Sequence, residues 1–149
     1  MKLTKIKIQN YRCFGEEQII DFDDLTAFIG NNCSGKTTAM SALNCIFSNN
    51  SNDRILKRSD FHLPHDKSWN SLDHQELFIE AVFVFDELAE KDADLSAIPV
   101  FFKSFVVDEP GGTPYLRIRL EASWEKSNNI EGAIENKVYY ITCSESEAI

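Results

Sequence analysis

The chain has 149 residues, 43% of them hydrophobic, and a formal net charge of −9. This length suits one domain with a sizeable core, and the acidic balance argues against a protein that coats nucleic acid by bulk electrostatics. No run reaches the roughly 18 apolar residues of a membrane span, and the opening "MKLTKIKIQNYRCF" alternates where a signal peptide would be continuously apolar, so a soluble cytoplasmic protein without a membrane partner is expected.

In chain order, residues 3–9 set Ile6 and Ile8 on one side and Lys5, Lys7 and Gln9 on the other, which predicts a half-exposed strand. "EQIIDF" at 17–22 predicts a second. Leu25, Ala27, Phe28 and Ile29 form a short apolar run that reads as a buried strand feeding a glycine-rich loop. Gly30-x-x-x-x-Gly35-Lys36-Thr37 is a P-loop pattern. Its glycines let backbone N–H groups point inward at phosphate oxygens, Lys36 sets a cation against the terminal phosphates, and the Thr37 hydroxyl suits Mg²⁺. Cys33 lies inside the loop, where backbone amides could lower a thiol pKa, although an inert filler is the plainer reading. With Cys13, Cys45 and Cys143 it shows no CxxC or zinc-like spacing, so all four are read as reduced thiols.

Ala39, Met40, Leu43, Ile46 and Phe47 recur at three- and four-residue spacing and predict a helix with one apolar face, ended by the turn formers "SNNSND" at 48–53. Residues 54–75 read as a mostly irregular connection. Four β-rich segments follow at 76–88, 100–108, 114–124 and 137–143, with a short helix expected within "ELAEKDADLSAI". "EPGG" at 109–112 is a turn that would pair the second and third of these as a hairpin. A self-contained P-loop NTPase needs several parallel strands with helices on both faces. The expected fold is therefore α/β (α+β): one partial ATPase domain, with strands, P-loop and helix in 1–50, a connection in 51–75 and an antiparallel β lobe in 76–149, the rest of the parallel core being missing.

"VFVFDE" at 82–87 has the form of a Walker B strand, with Asp86 to hold Mg²⁺ and Glu87 to activate water. Against this, Glu80 interrupts the run while Leu77, Ile79, Ala81, Phe83 and Phe85 alternate, as in a strand with one exposed face. Lys5 with Lys7, Arg54 with Lys57 and Arg58, and Arg117 with Arg119 are candidate local DNA contacts, each read first as a solvated face. "DFHLPHD" and His74 suggest metal ligands, but Pro64 prevents helical i, i+4 geometry.

The stretch from "MKLTKIKIQNYRCF" through "FIGNNCSGKTTAM" resembles the N-terminus of ABC-type ATPases of the RecF and SMC group. With "RSDFHLP", "FIEAVFVF", "YLRIRLEASWE" and "KVYYI" it is similar to the overcoming-lysogenization-defect (OLD) family of ATP-dependent endonucleases. The resemblance implies that Gly30, Asn31, Asn32, Cys33, Ser34, Gly35, Lys36, Thr37 and Thr38 wrap ATP and its Mg²⁺. Arg12 of "NYRCF" would lie near the nucleotide, and Asp60 and His62 of "SDFH" in a loop approaching the γ-phosphate, Asp60 being a second candidate metal ligand. It also implies a homodimer or larger homo-oligomer in the intact protein and DNA as a partner. The signature motif, Walker B carboxylates and switch histidine of such heads, and the carboxylates of a Toprim nuclease, are not visible, so an N-terminal fragment is expected, inactive by itself. The expected function is ATP binding that regulates a DNA-directed activity in phage defence or DNA processing. The alternatives are a nucleotide-binding or interaction module without hydrolysis, and a complete small NTPase using Asp86 and Glu87.

Overall fold

Alternation in the first nine residues yields strand β1 (Lys2–Gln9), which buries Ile6 and Ile8 completely. The structure is a computed structural model that describes residues 1–31, 35–85 and 98–147. Within them, β2 (Gln18–Asp21), helix α1 (Lys36–Phe47), β3 (His74–Val84), β4 (Val106–Val107), β5 (Tyr115–Glu125) and β6 (Ala133–Ile141) follow in order, with three 3₁₀ turns between α1 and β3. The strands form one sheet, β2-β1-β3-β5-β4, with β6 also on β5, and every pair is antiparallel. The N-terminal strands β1 and β2 thus share one antiparallel sheet with the later strands of the chain.

Register decides which face is core. Ile6 lies opposite Ala81 and Ile8 opposite Ile79, and Ile79 and Ala81 lie in turn opposite Leu120 and Ile118. This apolar face receives α1 through Ala42 and Cys45, together with Tyr11, Leu56, Phe61, Leu72 and Trp124. Each fully buried large aliphatic side chain contributes about 1.5–3 kcal/mol relative to exposure. The helix starts where Gly35 adopts φ 88 and ends at Ser48, whose N–H returns to the Asn44 carbonyl. Its buried stripe is Thr38, Ala39, Ala42 and Cys45; of the predicted apolar face, Ala39 is buried and Leu43 and Ile46 pack half-buried against the core, while Met40 is 51% and Phe47 41% exposed. Small side chains let α1 approach the sheet closely, which turns the larger ones toward the rim.

Three other expectations are corrected. The run 25–29 is not a strand, and Leu25 and Ile29 are 89% and 93% exposed. A buried strand needs a backbone edge to join, and none of the described strands pairs with this run. Segment 100–108 is a turn as far as Phe105, with only Val106 and Val107 in the sheet. After Pro99, bonds from Phe102 N–H to the Pro99 carbonyl and from Phe105 N–H to the Phe102 carbonyl, both 2.8 Å, close the backbone on itself, and Phe105 stacks on Tyr140 at 4.5 Å. β6 begins four residues earlier than the expected 137, and the helix expected in 87–98 lies outside the described residues except for Ile98.

The third correction concerns Glu80, which is completely buried and not on an exposed face. Its carboxylate accepts from Arg117 Nε at 2.9 Å and Arg119 at 3.1 Å, with Lys7 at 3.9 Å. Arg117 is itself only 2% exposed and donates to the carbonyls of Cys143 and Ser144. Lys5 and Lys7 are bound by Glu145 at 2.9 and 2.7 Å. Arg117 and Arg119, read from sequence as a solvated basic face, are thus the interior counterions of a buried carboxylate. The segment at 143–145 closes over this polar face of the sheet. Among the described residues no helix is long and apolar enough to cross a membrane.

Candidate functional site

The N-terminus of α1 is built by two chain segments that converge on it. From one side comes the glycine-rich loop, of which Gly30, Asn31, Gly35, Lys36, Thr37 and Thr38 are described and Asn32, Cys33 and Ser34 lie outside the described residues. Gly35 is buried at φ 88, and a Cβ there would stand 2.6 Å from the Phe14 ring, so both conformation and space demand glycine. Lys36 Nζ donates to the carbonyls of Gly30 and Asn31 at 2.6 and 2.5 Å, which turns the ammonium back into the loop. Among the described residues no side chain caps the helix start, and its first turn carries no acid, so its N–H groups and positive dipole end form an anion-binding feature. The Thr37 side chain is exposed, whereas Thr38 is buried against Cys13, whose thiol lies 3.4 Å from the Thr38 hydroxyl. A cavity of about 330 Å³ opens beside the loop, bounded by Phe14, Phe28, Gly30, Gly35, Lys36 and Ala39.

From the other side comes the turn after β1. Asn10 and Arg12 both have positive φ, 53 and 51, a conformation that costs a non-glycine residue about 1 kcal/mol or more. Several bonds hold Arg12 there. Its N–H donates to the Asp60 carbonyl at 2.8 Å, its Nε to the Asp60 carboxylate at 2.8 Å, and its carbonyl faces His62 Nδ1 at 2.8 Å. A further guanidinium N–H reaches the hydroxyl of Ser41, on α1, at 2.9 Å. Burial works against the guanidinium charge, but the Asp60 hydrogen bond outweighs it and raises its pKa above the ordinary arginine value. Beneath it Tyr11 is fully buried, 3.1 Å from Ser41 Oγ and 3.3 Å from Cys45 Sγ. Burial first, and then the Cys45 contact, push the phenol pKa well up, so Tyr11 is a neutral hydrogen-bonding strut.

The structure therefore brings together "NYRCF", "SDFH" and the helix after the P-loop. Asp60, a candidate metal ligand by sequence, is 6% exposed and has both oxygens engaged, one by Arg12 and one by the Lys57 N–H at 2.9 Å. Its observed role is to anchor Arg12. His62 sits on the same turn, packed so closely that a Cβ on Gly15 would meet its ring at 2.8 Å. Among the described residues no group of three or more histidine, cysteine or carboxylate side chains is arranged to hold a metal. Asp86 and Glu87 lie outside the described residues, while β3, which they follow, is antiparallel to both its neighbours. Sequence reasoning missed Phe14 and Ser41. The small residue one helical turn beyond Thr37, at the spacing that faces Arg12, was the available signal for Ser41.

Residues 1–148 match a family described as the AAA ATPase domain. No curated protein sequence matches the chain. Among solved structures, an SMC ATPase studied for ATP-driven dimerization and DNA-stimulated activation superposes with a TM-score of 0.49 at 12% identity, over 95% of this chain and 73% of that one.

Proposed function

The chain belongs to the AAA ATPase domain family, and from that premise we propose that it binds ATP with Mg²⁺ at the N-terminus of α1. The observation that carries this reading is a helix start opened by a glycine whose φ 88 and contact with Phe14 admit no Cβ, with Lys36 turned back into the glycine-rich loop and Arg12 held against α1 at Ser41. Lys36 rests on carbonyl oxygens of its own loop, and phosphate oxygens of the nucleotide would take their place. The exposed Thr37 hydroxyl would face Mg²⁺, which supplies positive charge to the phosphates. Gly30, Asn31, Asn32, Cys33, Ser34, Gly35 and Thr38 would complete the cradle. Arg12 would meet the phosphates from the β1 side, oriented by Asp60, with His62 packing the turn.

On this reading the chain grips the nucleotide and does not by itself hydrolyse it. The antiparallel setting of β3 favours a lobe strand over a central Walker B strand, so Asp86 and Glu87 are not the catalytic pair. The resemblance to OLD-family nucleases supports a finer proposal: a homo-oligomeric ATPase in which the nucleotide governs access to DNA, in phage defence or DNA processing. Turnover of ATP by the chain, beside Lys36→Ala and Glu87→Gln, tests the division of labour. No turnover in any of the three is expected. Turnover that is lost in both variants would overturn the proposal in favour of a self-contained NTPase.

A further inference from the structure

The outer edge of β6 has no partner strand among the described residues: β6 pairs only with β5, over an unbroken register from Ala133 opposite Glu125 to Ile141 opposite Arg117. Nine residues without proline or bulge make a long edge, and proteins usually protect such edges because they template pairing with another chain. Its side chains are ordered in a self-complementary way. We propose that β6 pairs antiparallel with β6 of a second copy of this chain, about a two-fold axis at Asn136, independently of nucleotide.

Opposed residues in an antiparallel pair share a face, so the two-fold must pass through one residue position. Centred on Asn136, Glu135 lies opposite Lys137 of the second copy and Lys137 opposite its Glu135, giving two ion pairs on the polar face. Ile134 and Val138 meet twice on the apolar face, Ala133 lies opposite Tyr139, and the two Asn136 amides face each other. Centring on Glu135 or Lys137 would instead set like charges together, which destabilises cross-strand pairs. The side chains are available. Neither Glu135 nor Lys137 has a salt-bridge partner among the described residues, and Glu121, opposite Lys137 on β5, is held by Arg119 at 2.9 Å. Val138, on the core face, is 52% exposed, and Ile134 already packs on the core, so pairing would carry the apolar face across the seam. Strand addition alone buries less than the roughly 1,200 Å² of a standard interface, so a reversible dimer is expected, with a dissociation constant of about 10⁻⁵ to 10⁻³ M.

Sedimentation velocity without nucleotide, from about 5 to 500 µM, tests this on the whole chain and on Lys36→Ala, which should dimerise equally. Lys137→Glu and Glu135→Lys, both at exposed positions and checked for unchanged melting, should each weaken self-association about tenfold or more. Mixing these two variants should restore the dimer as a heterodimer, and the double exchange should restore it within one chain. A wild type that stays monomeric throughout, its edge then being left to an unlike partner, would overturn the proposal. So would a dimer that forms only with ATP, or one indifferent to the charge exchanges.

Discussion

Glu80→Ala would leave the Arg117 guanidinium, 2% exposed, without its carboxylate. Glu80 is completely buried and accepts from Arg117 at 2.9 Å and Arg119 at 3.1 Å. Removing one member of a buried pair strands the other charge and costs about 3–5 kcal/mol. Arg119 and Lys7 each keep another carboxylate, Glu121 at 2.9 Å and Glu145 at 2.7 Å, and should add less. Arg117 also keeps two carbonyl acceptors at 2.8 Å, which places the expectation at the lower end, about 3 kcal/mol. For a chain of this size that lowers the melting temperature by roughly 6–12 °C. Urea unfolding followed by circular dichroism measures it, with Glu80→Gln as the near-isosteric control and Glu80→Leu with Arg117→Met as the paired replacement. The paired replacement should recover most of the loss, because the desolvation cost of both charges disappears together. A loss below about 1 kcal/mol for Glu80→Ala would refute a buried ion cluster.

Gly35→Ala should abolish nucleotide binding and cost about 1–3 kcal/mol of stability, since the new Cβ combines φ 88 with a 2.6 Å approach to Phe14; unchanged affinity by fluorescence titration would contradict it. Arg12→Ala should weaken ATP binding by about tenfold and also lower stability in urea by about 1–3 kcal/mol, because it takes the guanidinium from an Asp60 carboxylate that is only 9% exposed. Asp60→Asn should reproduce part of that loss by loosening the same guanidinium, and an Asp60→Asn variant with full affinity would show that Arg12 does not depend on it. Glu145 predicts a pH dependence. Burial pushes its carboxyl up, but Lys7 and Lys5 outweigh burial and hold it below the ordinary value of 4.5. A folded pKa below the unfolded one contributes stability above about pH 4.5 that is lost as pH falls through the folded value. The stability gap between wild type and Glu145→Gln should therefore close on acidification, and a gap that widens in urea titrations would contradict the pairing with Lys5 and Lys7.

The start of α1 and the alternating strands were legible because each rests on residues a few positions apart. Glu80 was not: its counterions stand 37 and 39 residues along the chain, and alternation alone assigns a carboxylate to solvent. The same holds for Arg12 and Asp60, 48 residues apart, whose neighbourhood was signalled only by a family resemblance and not by any local pattern. The apolar run at 25–29 misled for a different reason. Hydrophobicity reports that a segment could be buried, but not that a strand edge is there to receive it. Segment 100–108 shows the converse limit, since β-prone phenylalanines were overruled by the turn that follows Pro99.

Isothermal calorimetry with Mg²⁺ and a non-hydrolysable ATP analogue, on the wild type and on Lys36→Ala of equal thermal stability, tests the nucleotide grip most directly. Saturable one-site binding by the wild type, reduced at least about a hundredfold in the variant by loss of a charge-assisted phosphate contact, is the predicted result. No binding by the well-folded wild type, or equal binding by both, would contradict it.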